Sequence, residues 1–426
     1  MPATNPGDVI ASAEDSRRSE LLRIAADVFS YAGYTSTSLR DIAHAAGILA
    51  GSLYHHFPSK EALAVELISA FHAEIEATAH RSRSGVSDPL SAIVAFAAQV
   101  GGVVERHRAA AQMCRYDAPS TATEAMSSLV RRKLPAIESR WSELLRAARE
   151  QGVIRAGTDL PMVQNVLSEA VIDLALLGGT EPPAGYIHAL TTLVLHGLAA
   201  ESSAPADLDA SVPMRIAQEH VATWSGLPEA SAGGRRDLIL ATARDEFARR
   251  GYDATTMRDI AAALGTRPSS IYRHFTSKQD LLDAIVRNFS PRLLAAYEAV
   301  VGASGSAVER LDALFWLMAS ASASFRPDFI IVGDWWRELK YPADAPPEDN
   351  AARLRLLEKV IRDGIPAGEF VRLQDPAMLA VAVRAMLWVP LTDCAPPAVA
   401  QRHAFLRQCL LDGAAAPAER MTILSL

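Results

Sequence analysis

Two twelve-residue segments gather side chains suited to hydrogen bonding with anions and with heterocycle edges. Residues 49–60 read Leu-Ala-Gly-Ser-Leu-Tyr-His-His-Phe-Pro-Ser-Lys, and residues 267–278 read Arg-Pro-Ser-Ser-Ile-Tyr-Arg-His-Phe-Thr-Ser-Lys. In the first, Ala50, Gly51 and Ser52 are small enough for close approach of another molecule. Tyr54, His55, His56 and Lys60 bring hydroxyl, imidazole and ammonium groups. In the second, Pro268, Ser269 and Ser270 take the small positions, and Tyr272, His274 and Lys278 repeat the donors. Arg267 and Arg273 add guanidinium forks of the kind that match guanine O6 and N7. The His55-His56 pair raises metal binding, but adjacent helical residues diverge by about 100° and no third ligand is near, so no metal is expected.

Other chemistries lack their motifs. The chain contains no Gly-x-Ser-x-Gly elbow, no phosphate-binding P-loop, no Gly-x-Gly-x-x-Gly opening a helix and no His-Glu-x-x-His. Neither an enzyme nor a cofactor is expected. Cys114, Cys394 and Cys409 form no Cys-x-x-Cys pair, which argues against a disulfide framework and fits a reducing compartment. No apolar run approaches the roughly 18 residues of a membrane span, and the start has no basic stretch leading into an apolar one. A cytoplasmic protein without membrane contact is the expectation.

The elements that position these residues are helices, and they occur twice. Residues 18–63 align without a gap on 236–281, identical at 21 of 46 positions. Gly152-Val-Ile-Arg before Asp159 matches Gly368-Glu-Phe-Val-Arg before Asp375 at nearly the same offset. Each repeat opens with an amphipathic helix that ends at Gly33-Tyr34 or Gly251-Tyr252, where glycine suits a left-handed cap. Ser38-Leu-Arg-Asp41 and Thr256-Met-Arg-Asp259 have the form of capping boxes and start a short second helix. A turn at Gly47 or Gly265 leads to a third helix, over 51–57 or 269–275. Ser59 and Ser277 then cap a long fourth helix. Short helix, glycine turn and short helix is the helix-turn-helix pattern, whose second helix enters the DNA major groove. Phe29, Ile42, Ala43, Phe57 and Leu63 are expected in the core.

Both copies resemble the N-terminal domain of the tetracycline-repressor (TetR) family of bacterial transcription regulators. The resemblance rests on Ser38-Leu-Arg-Asp-Ile-Ala, Gly47, Leu53-Tyr-His-His-Phe57 and Lys60. It is repeated in Thr256-Met-Arg-Asp-Ile-Ala, Gly265, Ile271-Tyr-Arg-His-Phe275 and Lys278. It implies that Tyr54, His56, Lys60, Tyr272, His274 and Lys278 meet phosphates, with Arg40 and Arg258 as similar candidates. Phosphate contacts set register, and base contacts set sequence preference.

The formal net charge of −7, taken alone, argues against a DNA partner. Residues 17–60, however, hold five Arg or Lys against three Asp or Glu, and 235–278 hold nine against five. The heads are therefore +2 and +4, and the remainder carries −13, so binding to double-stranded operator DNA should be salt-sensitive.

The expected fold is all-α, with two tandem units, each a three-helix head on a helical ligand-binding and dimerisation body. The resemblance implies that the last two helices of each unit pair as in a homodimer, here within one chain. They are placed at 160–177, 182–200, 375–389 and 395–411. The expected division is a disordered arm (1–16), head one (17–63), body one (64–200), a linker (201–232) with a short helix near 213–224, head two (233–281), body two (282–415) and a tail (416–426). The unlike heads predict an asymmetric operator; further homo-oligomerisation stays open. Phe315, Trp316, Met318, Phe329, Trp335, Trp336, Arg337 and Trp388 suggest a pocket in the second body for a small apolar or acyl-CoA-like effector. The alternative is a helical small-molecule-binding or scaffold protein with degenerate heads.

Overall fold

The computed structural model describes residues 6–81, 88–115, 122–177, 183–226, 234–252, 254–337, 348–388 and 399–416. Head one is α1 (Pro6–Ala32), α2 (Leu39–Ala45) and α3 (Ala50–His56). Body one follows as α4 (Lys60–Arg81), α5 (Pro89–Arg106), α6 (Arg108–Met113), α7 (Glu124–Val130), α8 (Pro135–Glu150), α9 (Leu160–Leu176) and α10 (Pro183–His196). After α11 (Pro205–Asp209) and α12 (Val212–Ala222), head two comprises α13 (Arg235–Arg250), α14 (Met257–Ala263) and α15 (Pro268–Tyr272). Body two is α16 (Lys278–Gly302), α17 (Ala307–Ser324), α18 (Arg326–Arg337), α19 (Glu348–Gly364), α20 (Pro376–Trp388) and α21 (Val399–Arg407), the last continuing through a π turn at Gln408–Asp412. No strand occurs among the described residues; only two isolated bridges do, Ile154 with Ala415 and Ala199 with Phe370. No described helix is long and apolar enough to cross a membrane.

The two bridges are exchanged by a pseudo-two-fold axis. Leu198 N–H donates to the Leu410 carbonyl and Ala414 N–H donates to that of Val194, a pair that exchanges under a shift of 216 residues. Ala199 to Leu411 and Ala415 to Leu195 form the next such pair, and Ala200 to Glu369 with Ala416 to Val153 the third. Gly197 and Gly413 cross at the centre with φ +70 and +75. A Cβ on Gly197 would fall 2.2 Å from the Leu411 carbonyl oxygen, and one on Gly413 would fall 2.3 Å from the His196 carbonyl carbon. Only glycine permits both the dihedral and the approach. Helices α9 and α10 of the first unit pack on α20 of the second. The buried faces, Leu167, Val171 and Leu174 with Leu190 and Val194 opposite Leu379, Val383 and Met386, are continuous. The two units form an intrachain pseudo-dimer.

Two expectations for the connecting segments are corrected. The arm at 1–16 is helical from Pro6, because proline is tolerated in the first turn and Val9-Ile-Ala-Ser-Ala-Glu-Asp contains nothing that breaks a helix. Of the 201–232 linker, the described residues 201–226 are largely helical, including the short helix expected near 213–224. Ser211 caps α12 through Met214 N–H, and Met214, Ala217 and Trp224 bury one face against α16 and α17. Arg407 then ties α11 to α17, donating to Asp209 at 2.6 Å and to Asp312 at 2.7 Å, while His403 Nε2 stands 3.0 Å from Asp312. The equivalent positions are Val94, at the 218 offset that also relates the caps Asp88 and Ser306, and Ile187 and Thr191, at the 216 offset, so this clamp belongs to the second unit alone.

Head one has its own small core of Leu21, Ala25, Phe29, Ile42, Leu53, Phe57 and Leu63. The equivalent residues of head two, including Phe247, Ile260, Ile271 and Phe275, join the core that runs through both bodies.

Candidate nucleic-acid interface

Each recognition helix is held by the same local devices. Ser38 Oγ accepts from Asp41 N–H and Asp41 accepts from Ser38 N–H, and Thr256 and Asp259 repeat the exchange. The hydrogen bonds from Ser38 hold the exposed Asp41 carboxyl below its usual range. Burial works to raise Asp259, and Thr256 and Arg250 outweigh it. Gly47 and Gly265, with φ +65 and +62, turn the chain into α3 and α15. Leu53 and Phe57, or Ile271 and Phe275, anchor the inner side of the third helix and leave its outer face in solvent.

That outer face carries most of the residues expected there. Gly51, Ser52, Tyr54 and His55 are exposed, and Ala50 and His56 are half-buried. In head two, Arg267, Ser269, Tyr272, Arg273 and His274 are exposed, with Pro268 and Ser270 half-buried. Arg40 and Arg258 are exposed on the adjoining helices. Arg273 Nη2 donates to Ser270 Oγ at 3.3 Å, a weak contact within one helical turn. Ser59 and Ser277 accept from Ala62 and Asp280 N–H at 3.0 Å as caps of the fourth helix.

Lys60 and Lys278, expected to meet phosphates, are engaged within their own heads. Lys60 Nζ donates to the Tyr34 and Thr37 carbonyls at 2.7 and 2.8 Å and lies 4.3 Å from the Tyr34 ring centre. Lys278 Nζ donates to the Tyr252 carbonyl at 2.8 Å and lies 4.1 Å from that ring. The glycine-tyrosine corner leaves carbonyls without helical partners at the start of the fourth helix, and an ammonium satisfies them. Burial lowers the Lys60 pKa, partly offset by Asp41.

Arg18 and Arg236 are contributors that the motif reading passed over. Arg18 Nη1 donates to the His56 carbonyl at 2.8 Å, and its guanidinium covers the Phe57 ring at 4.1 Å. Arg236 covers Phe275 at 4.5 Å. Their identity at an offset of 218 was the available signal. Arg250 likewise joins Glu246 at 3.0 Å to Asp259 at 3.3 Å, fixing α13 to α14.

The family model for bacterial regulatory proteins of the tetR family matches this chain twice, over residues 21–67 and 239–285. The HTH-type transcriptional repressor KstR2 of Mycobacterium tuberculosis is 31% identical over 162 residues, which cover 38% of this chain and 81% of that protein. The chain belongs to the tetR family. Over 60 residues it is also 55% identical to KstR2 of Rhodococcus jostii, covering 14% of this chain and 29% of that one. Among solved structures, the ketosteroid transcriptional regulator KstR2 of Mycobacterium tuberculosis aligns at 28% identity and a TM-score of 0.37, covering 41% of this chain and 94% of that one.

In this tetR-family chain the expected effector residues fall into three groups. Phe315 and Met318 are wholly buried core residues of α17, and Trp316 is half-buried beside them. Phe329 stacks on Trp388 with ring centres 4.0 Å apart and planes 18° apart. Trp335, Trp336 and Arg337 end α18, and their side chains, like the loop that follows, lie outside the described residues. The structure adds a ring cluster in which Phe325 meets Trp224 at 5.4 Å and Phe289 at 5.2 Å.

Buried arginines are the larger omission. Arg353 donates to Ser290 Oγ at 3.0 Å and to Asn350 Oδ1 at 3.1 Å, both neutral, and burial lowers its pKa to about 10. Burial pushes Arg384 far below its ordinary value, Arg353 adds to the shift, and Asp173 across the dyad offsets part of it. An arginine inside the apolar run Leu379-Ala-Val-Ala-Val-Arg-Ala-Met-Leu was the visible sign. The dyad-related residues are Ile137 and Ser168.

Proposed function

We infer that this chain is a DNA-binding transcriptional repressor that brings both heads of an operator-binding pair on one polypeptide. The observation that carries this is the pseudo-dyad, whose reciprocal hydrogen bonds join two units that each expose a recognition helix. Covalent linkage makes head pairing intramolecular, with effective concentrations near the millimolar range for short connections. The repressor names of the similar proteins support the sign of regulation.

The heads differ, so the operator is asymmetric. Head one presents Leu49-Ala-Gly-Ser where head two presents Arg267-Pro-Ser-Ser. Selection of bound DNA from a random pool should enrich two unlike half-sites. Arg267→Ala with Arg273→Ala should relax the preference in one of them. A perfect palindrome occupied by two chains, each through one head, contradicts the proposal.

The same reading makes the second body the sensor, for a small apolar effector with an anionic group, of acyl-CoA-like chemistry. Support comes from Arg353 and Arg384, buried near each other, with the Phe329–Trp388 stack on the same body. Ligand binding would favour a head spacing that does not fit DNA. Release of operator by acyl-CoA thioesters, and not by the parent hydrocarbons, tests this. We also propose that residues 17–200 and 233–415 act as the two regulatory units.

A further inference from the structure

Leu49 and Arg267 occupy the same place in the two heads, the residue before the recognition helix. Their backbones are nearly the same, with φ −70, ψ 145 and φ −88, ψ 147, and neither side chain caps its helix. Leucine is among the poorest residues for that position, so the fold gains nothing local from it. Its side chain is 80% exposed. Two residues on, Gly51 lies inside α3 without a left-handed backbone, and a Cβ there would meet nothing within 4 Å. Neither dihedral nor packing requires glycine there, and glycine weakens a helix relative to alanine. These two choices, separated by one residue, therefore disfavour the helix, and both shape its outer face: an apolar tip beside a bare patch of backbone.

In the major groove the 5-methyl group of thymine is the apolar feature that a base pair offers, and guanine offers the O6 and N7 acceptor pair. Resting on the operator reading above, we propose that Leu49 reads a thymine methyl group in the first half-site, while Arg267 reads guanine at the dyad-related base pair. Gly51 removes the side chain that Ser269 keeps at the same place, which lets the shorter leucine reach the groove floor.

The test uses the full chain and the duplex it enriches most from a random pool. All thymines of one half-site at a time are replaced by 2′-deoxyuridine, which lacks only the methyl group. Affinity should fall about fourfold, the worth of one buried methyl group, in one half-site, and Leu49→Ala should bind the two duplexes alike. Leu49→Arg should move enrichment at that position to guanine and make the operator more palindromic. Unchanged melting temperatures, expected for so exposed a side chain, separate these effects from unfolding. Equal binding of thymine and uracil duplexes, or a thymine preference undiminished in Leu49→Ala, overturns the assignment and leaves the operator reading standing. A chain that enriches no sequence overturns both.

Discussion

Alanine at Gly413 should open the pseudo-dyad, and the geometry sets the size of the effect. Gly413 adopts φ 75, ψ 157, a region essentially restricted to glycine, where another residue is strained by roughly 1–3 kcal/mol. Its Cβ would also stand 2.3 Å from the His196 carbonyl carbon and 2.5 Å from the Gly197 nitrogen. Both are backbone atoms, so no side chain can swing aside. Relief requires drawing residues 410–415 away from 194–199, which strains or breaks the four hydrogen bonds donated by Leu198, Ala199, Ala414 and Ala415. At about 1 kcal/mol net each, partial loss brings the total to roughly 3–5 kcal/mol. Gly368 is the internal control. Its φ is +75, yet a Cβ there would meet nothing within 4 Å, so Gly368→Ala should cost the strain alone. Urea denaturation of both variants, followed by helical circular dichroism, should place the Gly413→Ala midpoint well below that of Gly368→Ala. Equal midpoints would refute the reasoning, because they would mean that residues 197 and 413 do not meet.

Asp328 of α18 is buried against Arg244 of α13 at 3.5 Å, and burial raises its pKa to about 6, against the pull of Arg244. A carboxyl raised in the folded state reduces stability above that pH, and the penalty disappears as pH falls below the unfolded value near 4. Asp328→Asn should therefore stabilise the chain at pH 8 by up to about 3 kcal/mol and leave it unchanged at pH 4; destabilisation at pH 8 would make the ion pair a net support. Lys278→Met should lower the melting temperature, through the lost Tyr252 contacts, and leave the salt dependence of DNA binding as it was. A slope smaller by about one would return the ammonium to a phosphate. Arg384→Met, which exchanges a buried cation for an apolar chain of similar length, should keep the fold and operator binding while abolishing release by an anionic effector, as read by fluorescence anisotropy. Retained release would move the sensor elsewhere.

The local devices were legible before the fold was known, because each depends on a few neighbouring residues. The capping boxes at Ser38 and Thr256, the turns at Gly47 and Gly265 and the buried Ile42 and Phe57 follow from spacing alone. The duplication announced a dyad, and the structure supplies its hydrogen bonds. Lys60 read as a surface cation because the carbonyls of Tyr34 and Thr37 reach it only once the corner has folded. The short helix expected near 213–224 is present as α12, but the flanking Ser, Ala and Pro gave no sign that its Met214 and Ala217 pack on the second body. Arg384 was visible as a charge among apolar residues, whereas the partners around it come from α9 and α19, distant in sequence. The aromatic density of the second body was read from composition, and composition does not separate Phe315, sealed in the core, from Phe329, stacked on Trp388.

The central claim is that one chain supplies both heads to one operator. The stoichiometry of the saturated complex, measured by native mass spectrometry on the selected duplex and paired with a hydroxyl-radical footprint, tests it most directly. One chain per duplex, protecting two unlike half-sites, is the predicted result. Two chains per duplex, each protecting one half of a symmetric site, would contradict it.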